Sequence, residues 1–315
     1  MNILVTGGCG FIGSHIVDAL VQKGHAVIVV DDLSNGRLQN LAESIGKVKF
    51  YKLDICSPEL EEIFKKEKPE VIFHAAAHIN IRNSMQDPQM DARINILGSL
   101  NLLENARKYG VKKVIYSSTG GAIYGDTEHI PTAECEELKT ISHYGISKHT
   151  VEHYLFLYKH IYGLEYTVLR YANVYGPRQD PLGEAGVVSI FINNILQGKK
   201  CWINGEGRQT RDYVFVDDVV RANMLALEKT TDSRIFNIAT GKETDVNELF
   251  NMIAEKMKAI VKEEIDMAHR PAVPGEVKRS CLDSSLAKKE LGWSPKVDLE
   301  EGIEKTITYF SAEKL

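Results

Sequence analysis

The stretch that decides the fold is MNILVTGGCGFIGSHIVDALVQKGHAVIVVDD, residues 1–32. The short β-branched run Ile3–Val5 is typical of a buried strand. Apolar residues then recur with the i, i+3, i+4 spacing of a helix up to Lys23–Gly24, a cap signal. A second apolar run, Ala26–Val30, predicts another strand. The order strand, helix, strand is a βαβ unit, whose parallel strands require a right-handed crossover.

Three glycines, Gly7, Gly10 and Gly13, separate the first strand from the helix. We expect Gly7 to permit a tight turn, Gly10 to let backbone N–H groups approach a pyrophosphate, and Gly13 to let the helix pack close to the strand. The helix N-terminus adds free N–H donors and a positive potential. A carboxylate at Asp31 or Asp32 would bind the ribose hydroxyls of adenosine and repel a 2′-phosphate. The stretch therefore predicts a dinucleotide site that favours NAD over NADP.

Length and composition narrow the class of protein. The 315 residues provide room for one large or two modest domains, and the net charge of −5 without a basic cluster argues against nucleic acid or an anionic membrane as the main partner. The chain starts directly with a strand, so we expect no signal peptide, and no apolar run approaches the roughly 20 residues of a membrane span. Five scattered cysteines without paired spacing predict reduced thiols, no metal site and a cytoplasmic protein.

Strand and helix signals continue to alternate through the first half of the chain. This alternation predicts an α/β fold with a doubly wound parallel sheet covered by helices on both faces. The further segments predicted are strands at Val48–Leu53, Val71–His74, Val114–Ser118 and Tyr166–Arg170, and helices at Glu59–Lys66, Met90–Tyr109 and His143–Tyr162. Ligands of such sheets bind outside the carboxyl ends of the strands, where most of the polar motifs of this chain fall.

The alternation of strand and helix signals becomes less regular after Gly176, where the loops lengthen. A strand over Arg211–Val216, a helix over Asp217–Leu227 and a strand over Ile235–Ile238 are expected to return to the parallel sheet. We therefore expect residues 1–172 plus about 210–240 to form the NAD-binding domain. Residues 173–209 plus about 241–315 are expected to form a smaller C-terminal α/β domain that binds the substrate.

Tyr144 and Lys148 provide the predicted chemical centre, because a spacing of four residues places both side chains on one face of a helix. An ammonium group beside a phenol, close to a nicotinamide cation, favours the phenolate and lowers the pKa of the tyrosine. The tyrosine can then act as general base and general acid. A hydroxyl from Ser117, Ser118 or Thr119 would share the proton, and the choice between Ser118 and Thr119 stays open. A Tyr/Lys pair alone is also common on an ordinary surface helix. The catalytic interpretation is favoured because the pair follows a predicted NAD-binding fold and a strand end rich in hydroxyl groups.

Several motifs together resemble the extended short-chain dehydrogenase/reductase family of NAD-dependent epimerases and dehydratases. They are the GGCGFIG loop at 7–13, Asp54-Ile55, the Ser-Ser-Thr strand end, YGISK at 144–148 and RYANVYGPR at 170–178. Within the family the chain looks most like the UDP-glucose 4-epimerases. The resemblance implies a Rossmann sheet, tightly held NAD and 4-epimerisation of a UDP-hexose through a 4-keto intermediate, as in galactose metabolism, with N-acetylated sugars as further substrates. It also implies a homodimer paired through the helices at 90–109 and 143–162.

The same resemblance implies roles for individual residues. The catalytic set would be Thr119, Tyr144 and Lys148. The cofactor-binding residues would be Gly7, Gly10, Phe11, Ile12, Gly13, Asp31, Asp32, Asn35, Gly36, Asp54, Ile55, Ala75, Ala76, Asn95, Ser117, Tyr144, Lys148 and Tyr171. The nucleotide-sugar site would be lined by His78, Thr119, Tyr144, Asn173, Val187, Arg211 and Arg270. Two arginines in this set are chemically suited to a diphosphate, which they can bind by bidentate hydrogen bonds.

Two departures from the family pattern bear on the substrate. Sugar 4,6-dehydratases carry an acidic pair where this chain has Gly120-Gly121, which disfavours dehydration. Many epimerases narrow the sugar pocket with a tyrosine at a position that falls at or near Ser280, counting from Gly275-Glu276, so we expect room for an N-acetyl group. A nucleotide-sugar decarboxylase, 4,6-dehydratase or reductase, and an NAD-sensing protein without activity, are the alternatives. The nucleotide and the preferred hexose, uronates included, are left open.

Overall fold

The computed structural model describes residues 1–182, 186–261, 264–272 and 277–313, so the Gly275-Glu276 element lies outside the described residues. The strands are β1 Asn2–Thr6, β2 Ala26–Asp31, β3 Val48–Lys52, β4 Val71–His74, β5 Lys113–Thr119, β6 Glu165–Tyr171, β7 Asn173–Tyr175, β8 Cys201–Asn204, β9 Thr210–Arg211, β10 Tyr213–Phe215, β11 Ile235–Ile238, β12 Thr244–Asp245, β13 Met267–Arg270 and β14 Arg279–Ser280. The α-helices are α1 Phe11–Gln22, α2 Leu60–Glu67, α3 Ile81–Gln86, α4 Pro88–Ala92, α5 Gly98–Lys108, α6 His143–Tyr162, α7 Val187–Leu196, α8 Val216–Glu228, α9 Val246–Met257 and α10 Leu299–Glu313.

A seven-stranded parallel sheet in the order β11-β6-β5-β4-β1-β2-β3 forms the centre of the protein. The strand order reverses between β1 and β4, which makes the sheet doubly wound and opens a crevice at the carboxyl ends of these two strands. The predicted fold class is confirmed. The functional residues discussed below lie mainly around this crevice and the neighbouring end of β5.

Burial on both faces of the sheet explains why its strands are apolar without alternation. Ile3 and Val5 of β1 belong to the core cluster that includes residues of α1 and α8, whereas Leu4 belongs to the cluster beneath α5 and α6. All three side chains are fully buried. Burial of each aliphatic side chain of this size contributes about 1.5–3 kcal/mol to the stability of the fold. The apolar side chains on the two faces of the strands therefore stabilise the packing of both helical layers on the sheet.

Two predicted elements differ from the structure. The helix expected over Met90–Tyr109 is α4 and α5 joined by one turn of π-helix, Arg93–Leu97. The strand expected over Arg211–Val216 does not join the central sheet: it is split into β9 and β10, and β10 pairs with β7. Asp212 lies at the split, and its buried carboxylate accepts N–H groups from Thr240 and Gly241. The strand predicted at 235–238 does return to the central sheet, as the edge strand β11.

The C-terminal part adds a third apolar cluster, built mainly from α7, α9, α10 and the short strands β8 and β10. Strands β9 and β14 pair with each other in a separate small sheet. Among the described residues, no helix combines the length and apolar character that a membrane crossing requires. All five cysteines are free thiols.

Candidate active site

Gly7 and Gly13, in the glycine loop between β1 and α1, have no room for a side chain. Gly7 has φ +69°, and a Cβ there would lie 2.6 Å from the backbone nitrogen of Ala76. A Cβ on Gly13 would lie 2.0 Å from the carbonyl oxygen of Gly7. Gly10 is the N-cap of α1 without a side-chain cap, so Phe11 and Ile12 begin a helix whose first N–H groups are available to a ligand. The loop is thus a cradle for a phosphate group at the crevice of the sheet.

Asp31 and Asp32, left as alternatives by the sequence, occupy different environments. Asp31 is buried, and its two carboxylate oxygens accept the backbone N–H groups of Leu33 and Cys9, each at 2.9 Å. Asp32 is exposed and accepts the N–H of Ser34. Burial raises the pKa of Asp31, and the two backbone donors oppose that shift. The carboxylate that faces the glycine loop is therefore Asp31.

The segment after Asp31 closes against the glycine loop. A Cβ on Gly36 would lie 2.8 Å from Oδ1 of Asp31 and 2.9 Å from Cβ of Cys9, so only glycine fits there. The N–H of Arg37 donates to the carbonyl oxygen of Cys9 at 3.0 Å. Asn35 is exposed beside this contact. The predicted residues Asn35 and Gly36 thus lie in the segment that packs onto the loop, next to Asp31.

Asp54, Ile55 and Asn95 are structural parts of the same edge. Ile55 is buried, and a Cβ on Gly98 at the start of α5 would lie 2.8 Å from its Cδ1. Asp54 accepts the N–H of Cys56 at 2.8 Å. Asn95 lies in the π-turn, where its Oδ1 accepts the N–H of His78 at 2.8 Å and its Nδ2 donates to the carbonyl oxygen of His78 at 2.9 Å.

His78 and the residues before it are held at the carboxyl end of β4. Ala75 and Ala76 pass within contact of the glycine loop, as the close approach of Ala76 to Gly7 requires. The ring Nδ1 of His78 lies 3.4 Å from Oδ1 of Asp91, and its side chain is only 10% exposed. The two hydrogen bonds from Asn95 therefore fix the backbone of His78 beside the crevice. Asn95 is brought to this place by the π-turn in which it lies.

Ser117 and Tyr171 form a hydrogen-bonded pair at the ends of β5 and β6. The Ser117 hydroxyl lies 3.2 Å from the phenol oxygen of Tyr171, which also accepts a hydrogen bond from Nδ2 of Asn223 at 2.9 Å. Burial raises the pKa of Tyr171 to about 12, so this phenol is a neutral group. The structure brings these two predicted cofactor residues together.

Thr119, rather than Ser118, lies on the side of β5 that faces Tyr144. The hydroxyl of Thr119 acts on the phenol of Tyr144 and lowers its pKa, against the effect of burial. Ser118 points to the other side of β5 and donates to Oε1 of Glu152 at 2.6 Å. The alternation of side chains along a strand thus separates the two candidates. Tyr144 and Lys148 lie in the first two turns of α6, where Ser142 caps the helix by accepting the N–H of Gly145.

Burial shifts the pKa values of Tyr144 and Lys148 in opposite directions. Burial raises the pKa of Tyr144, and the nearby Asp91 raises it further. Burial also lowers the pKa of Lys148 to about 7, against the opposing effects of Glu152 and Asp91. Burial is thus the largest influence on Tyr144 in the protein alone, and the lowered pKa predicted for Tyr144 beside both an ammonium and a nicotinamide cation stays a prediction. A lower pKa of Tyr144 requires a positive charge close to the phenol.

Thr119, Asn173 and Ser280 surround one small space beyond β5. A Cβ on Gly121 would lie 3.5 Å from Oδ1 of Asn173 and 4.0 Å from each of the hydroxyl oxygens of Ser280 and Thr119. Arg211 is the register partner of Ser280 between β9 and β14. The space is thus bounded by small or polar groups. Arg211, a predicted substrate residue, lies next to Ser280 on the neighbouring strand.

The remaining predicted substrate residues lie further from this space. Val187 is the first residue of α7, after the cap residue Gly186. Arg270 is exposed at the end of β13, where its Nε donates to Oδ1 of Asn204. The described contacts do not connect either residue to Tyr144. Their assignment stays a prediction.

Two carboxylates and one arginine near Tyr144 and Lys148 were given no role by the sequence. Asp91 and Glu152 both act on the charge of Lys148, and Arg170 forms a buried ion pair with Glu152. Glu152 lies four residues after Lys148, so the same i, i+4 rule that selected Tyr144 and Lys148 would have found it. No comparable signal in the sequence points to Asp91, which lies on α4.

The fold and the site together define a Rossmann-type nucleotide-binding protein with a tyrosine, lysine and threonine at the carboxyl edge of its sheet. The model of the NAD dependent epimerase/dehydratase family matches residues 3–239. The chain belongs to this family, and the predicted resemblance is confirmed. The predicted NAD cofactor is also confirmed, and the glycine cradle with Asp31 at its side fits it.

Three similar proteins cover practically the whole chain. The UDP-glucose 4-epimerase of Mycolicibacterium smegmatis is 46% identical over 312 residues, with 98% of both chains covered. The crystal structure of UDP-glucose 4-epimerase with UDP-glucose from Thermotoga maritima is 51% identical, has a TM-score of 0.94 and covers 100% of both chains. The Thermus thermophilus UDP-glucose 4-epimerase complex with NAD is 40% identical, with a TM-score of 0.92 and 99% of both chains covered. The prediction of an isomerase of this type agrees with these relatives.

Proposed function

We propose that this protein catalyses the NAD-dependent 4-epimerisation of a UDP-hexose, interconverting UDP-glucose and UDP-galactose through a 4-keto intermediate. The observation that carries the proposal is the placement of Tyr144 and Lys148 in the first two turns of α6, with Thr119 at the end of β5 and the glycine cradle at the same edge of the sheet. Relatives that match the entire chain and are named UDP-glucose 4-epimerases support it.

The residues of the NAD-binding half would hold the cofactor along the crevice. The glycine loop and the N-terminus of α1 would bind the pyrophosphate through backbone N–H groups, and Asp31 would accept the ribose hydroxyls. Asn95 would act indirectly, by fixing the backbone of His78. Lys148 would bind the nicotinamide ribose. NAD, when bound, accepts a hydride from the sugar and returns it, so no net NADH is released.

Proton transfer is the task of the protein's own groups. Tyr144 would take the proton of the C4 hydroxyl and give it back after the sugar has rotated, while Thr119 shares that proton by its hydrogen bond. The phenol can do so at neutral pH only if a positive charge offsets the burial that raises its pKa. Lys148 in its charged form supplies one such charge, which makes its protonation state a requirement of the reaction.

The substrate end of the site would hold the diphosphate and the hexose. Arg211 and Arg270 would bind the diphosphate, which lets the keto sugar rotate about its tether. The space shared by Thr119, Asn173 and Ser280 would receive the hexose. Because Gly121 and Ser280 contribute only small groups to the lining of that space, we propose N-acetylated UDP-hexoses as second substrates. Gly120 and Gly121 supply neither acid nor base, which argues against a dehydratase.

We propose that the molecule acts as a homodimer through α5 and α6. Large apolar side chains are exposed along this surface: Leu97 is 58% exposed, and Phe156, Leu157 and Ile161 on α6 are 61%, 41% and 56% exposed. A row of exposed apolar residues of this kind is typical of a protein interface. A second copy of the chain would cover it.

Residues 1–172 with about 210–240 would form the NAD-binding domain, and 173–209 with about 241–315 the nucleotide-sugar domain. The return of β11 to the central sheet supports this division. The five free thiols support a cytoplasmic location, where thiols stay reduced.

The test is to incubate purified protein with UDP-glucose and to detect UDP-galactose by NMR, together with the absorbance of free NADH. We expect epimer without net NADH. Tyr144→Phe should lose about two to four orders of magnitude in kcat, because a general acid–base group contributes roughly 10²–10⁴-fold. Tyr154→Phe, on the same helix, is the matched control. A Tyr144→Phe variant within tenfold of the wild type would refute the role of the phenol. Release of CO₂, a 6-deoxy product or no turnover across UDP-sugars would favour the alternatives.

A further inference from the structure

Glu152 occupies a buried position on α6, one helical turn beyond Lys148. Its side chain is 3% exposed, and that of its partner Arg170 on β6 is 4% exposed. Nη2 of Arg170 donates to Oε2 of Glu152 at 2.6 Å, and Nε of Arg170 donates to Oε1 at 3.1 Å. This two-point ion pair joins the helix that carries the catalytic residues to the central sheet.

The same carboxylate also holds the end of β5. The hydroxyl of Ser118 donates to Oε1 of Glu152 at 2.6 Å. Ser118 directly precedes Thr119, whose side chain points to the opposite side of the strand and meets Tyr144. Glu152 therefore connects the two segments, β5 and α6, whose relative position sets the contact between the catalytic hydroxyl and the phenol.

Arg170 extends the connection into the loops around the site. Its Nη1 donates to the phenol oxygen of Tyr124 at 2.8 Å, and that phenol donates to Oδ1 of Asn237 on β11 at 2.9 Å. The buried network thus includes β5, α6, β6, β11 and the loop that follows β5. Buried networks in which each polar group has a partner hold their elements in one arrangement.

Lys148 depends on the charges that face it. It is 3% exposed, and its Nζ lies 4.3 Å from the ring centre of Tyr116 on β5. The other titratable groups that act with it are His74 on β4, Asp91 on α4 and Glu152 on α6. Burial lowers the pKa of Lys148 to about 7, and Glu152 is the largest opposing influence, followed by Asp91.

We propose that Glu152 is a positioning residue for the epimerase reaction: it supplies the negative charge that keeps the Lys148 ammonium in its working form, and it ties the strand end of Thr119 to the helix of Tyr144. This inference rests on the proposed function, in which charged Lys148 is required. Arg170 pairs with the carboxylate from β6.

The effect of removing the charge has a definite sign. A carboxylate favours the charged form of a lysine, so Glu152→Gln lowers the pKa of Lys148. Lys148 then loses its proton at a lower pH, and the alkaline limb of the kcat profile moves to lower pH, by about one pH unit or more. A residue that served the fold alone would change the amplitude of the profile without moving this limb.

The chain offers a matched control at Glu67 on α2. Its side chain is also 3% exposed, and it accepts hydrogen bonds from Lys49 and Tyr51, each at 2.6 Å. Glu67→Gln removes a buried carboxylate charge from an element that does not pack on Lys148. It therefore reproduces a loss of stability without a change in the charges at the site.

The experiment measures the pH profile of kcat for wild type, Glu152→Gln, Glu152→Asp and Glu67→Gln, as NAD-containing full-length proteins. In parallel, the ¹³Cε shift of Lys148 is titrated in lysine-labelled protein, with the signal assigned from a Lys148→Met sample. We expect Glu152→Gln to move both midpoints down by about one pH unit or more. Glu152→Asp should restore most of the shift, and Glu67→Gln should leave both midpoints at the wild-type values.

The two readouts separate the inference from the proposed function. If no UDP-hexose is epimerised but the Lys148 titration moves as expected, the proposed function fails and the link between Glu152 and Lys148 stands. If Glu152→Gln leaves the Lys148 titration unmoved, the inference is overturned. Should Glu152→Gln fail to fold, the Glu152→Gln/Arg170→Gln double variant removes both buried charges, and an unchanged Lys148 midpoint in it overturns the inference equally.

Discussion

Gly13→Ala is the substitution for which the structure gives the sharpest expectation. The added Cβ would lie 2.0 Å from the carbonyl oxygen of Gly7 and 2.8 Å from its carbonyl carbon. Both are backbone atoms that no rotamer change can move. Helix α1 or the turn at Gly7 must therefore retreat by about 1 Å or more, because contacts to a Cβ below 3.0 Å do not occur. The helix N-terminus and the turn are the two parts that would bind the pyrophosphate, so both lose their positions together.

The size of the effect follows from the cost of overpacking. Inserting a methyl group into a closely packed contact costs about 1–3 kcal/mol. If this cost falls on cofactor binding, NAD affinity decreases by about 5- to 140-fold, since each 1.4 kcal/mol is a factor of ten. The melting temperature should fall as well, because bound NAD stabilises the folded state by mass action.

The assay compares Gly13→Ala with Gly46→Ala. At Gly46 a Cβ would meet no atom within 4 Å, and the backbone φ is one that alanine adopts readily. Each protein is purified, the NAD released on denaturation is quantified, and binding of added NAD is titrated by calorimetry. We expect near-wild-type occupancy for Gly46→Ala and a marked loss for Gly13→Ala. Equal occupancy, affinity and melting temperature in the two variants would refute the argument that α1 must approach Gly7 this closely.

Three other predictions concern the core, the sugar space and the exposed helix face. His74 is buried between the hydroxyls of Thr6 and Ser99, and burial lowers its pKa to about 3. Below the ordinary histidine pKa of about 6.5 the unfolded chain binds a proton that the folded chain excludes, so the free energy of unfolding falls by about 2 kcal/mol by pH 5. His74→Gln should therefore reduce the fall of the melting temperature between pH 7 and pH 5. A variant with the same slope as the wild type would contradict this. Ser280→Tyr should fill the space beside Thr119 and abolish turnover of UDP-N-acetylglucosamine while UDP-glucose is still converted; parallel loss of both sugars contradicts it. Phe156→Glu should give monomers by light scattering, and a retained dimer would place the interface elsewhere.

Local sequence was sufficient for the elements whose pattern is repeated over many residues. The glycine loop, the helix behind it and the acidic end of β2 were predicted from residues 1–32, because each depends on neighbours within a few positions. The helix from His143 to Tyr162 was predicted with its observed bounds, since Ser142 supplies the N-cap and Gly163, with φ +73°, the C-terminal stop.

What only the tertiary structure decided is which of several equivalent side chains faces the site, and with what charge. Asp31 rather than Asp32, and Thr119 rather than Ser118, are chosen by the direction in which each strand ends against its neighbours. The raised pKa of Tyr144 likewise comes from burial by several segments, which a spacing of four residues cannot reveal. Propensity and periodicity act over a few residues and are written in the sequence, whereas burial and the field of distant charges are properties of the packed chain, and these set the chemistry of the site.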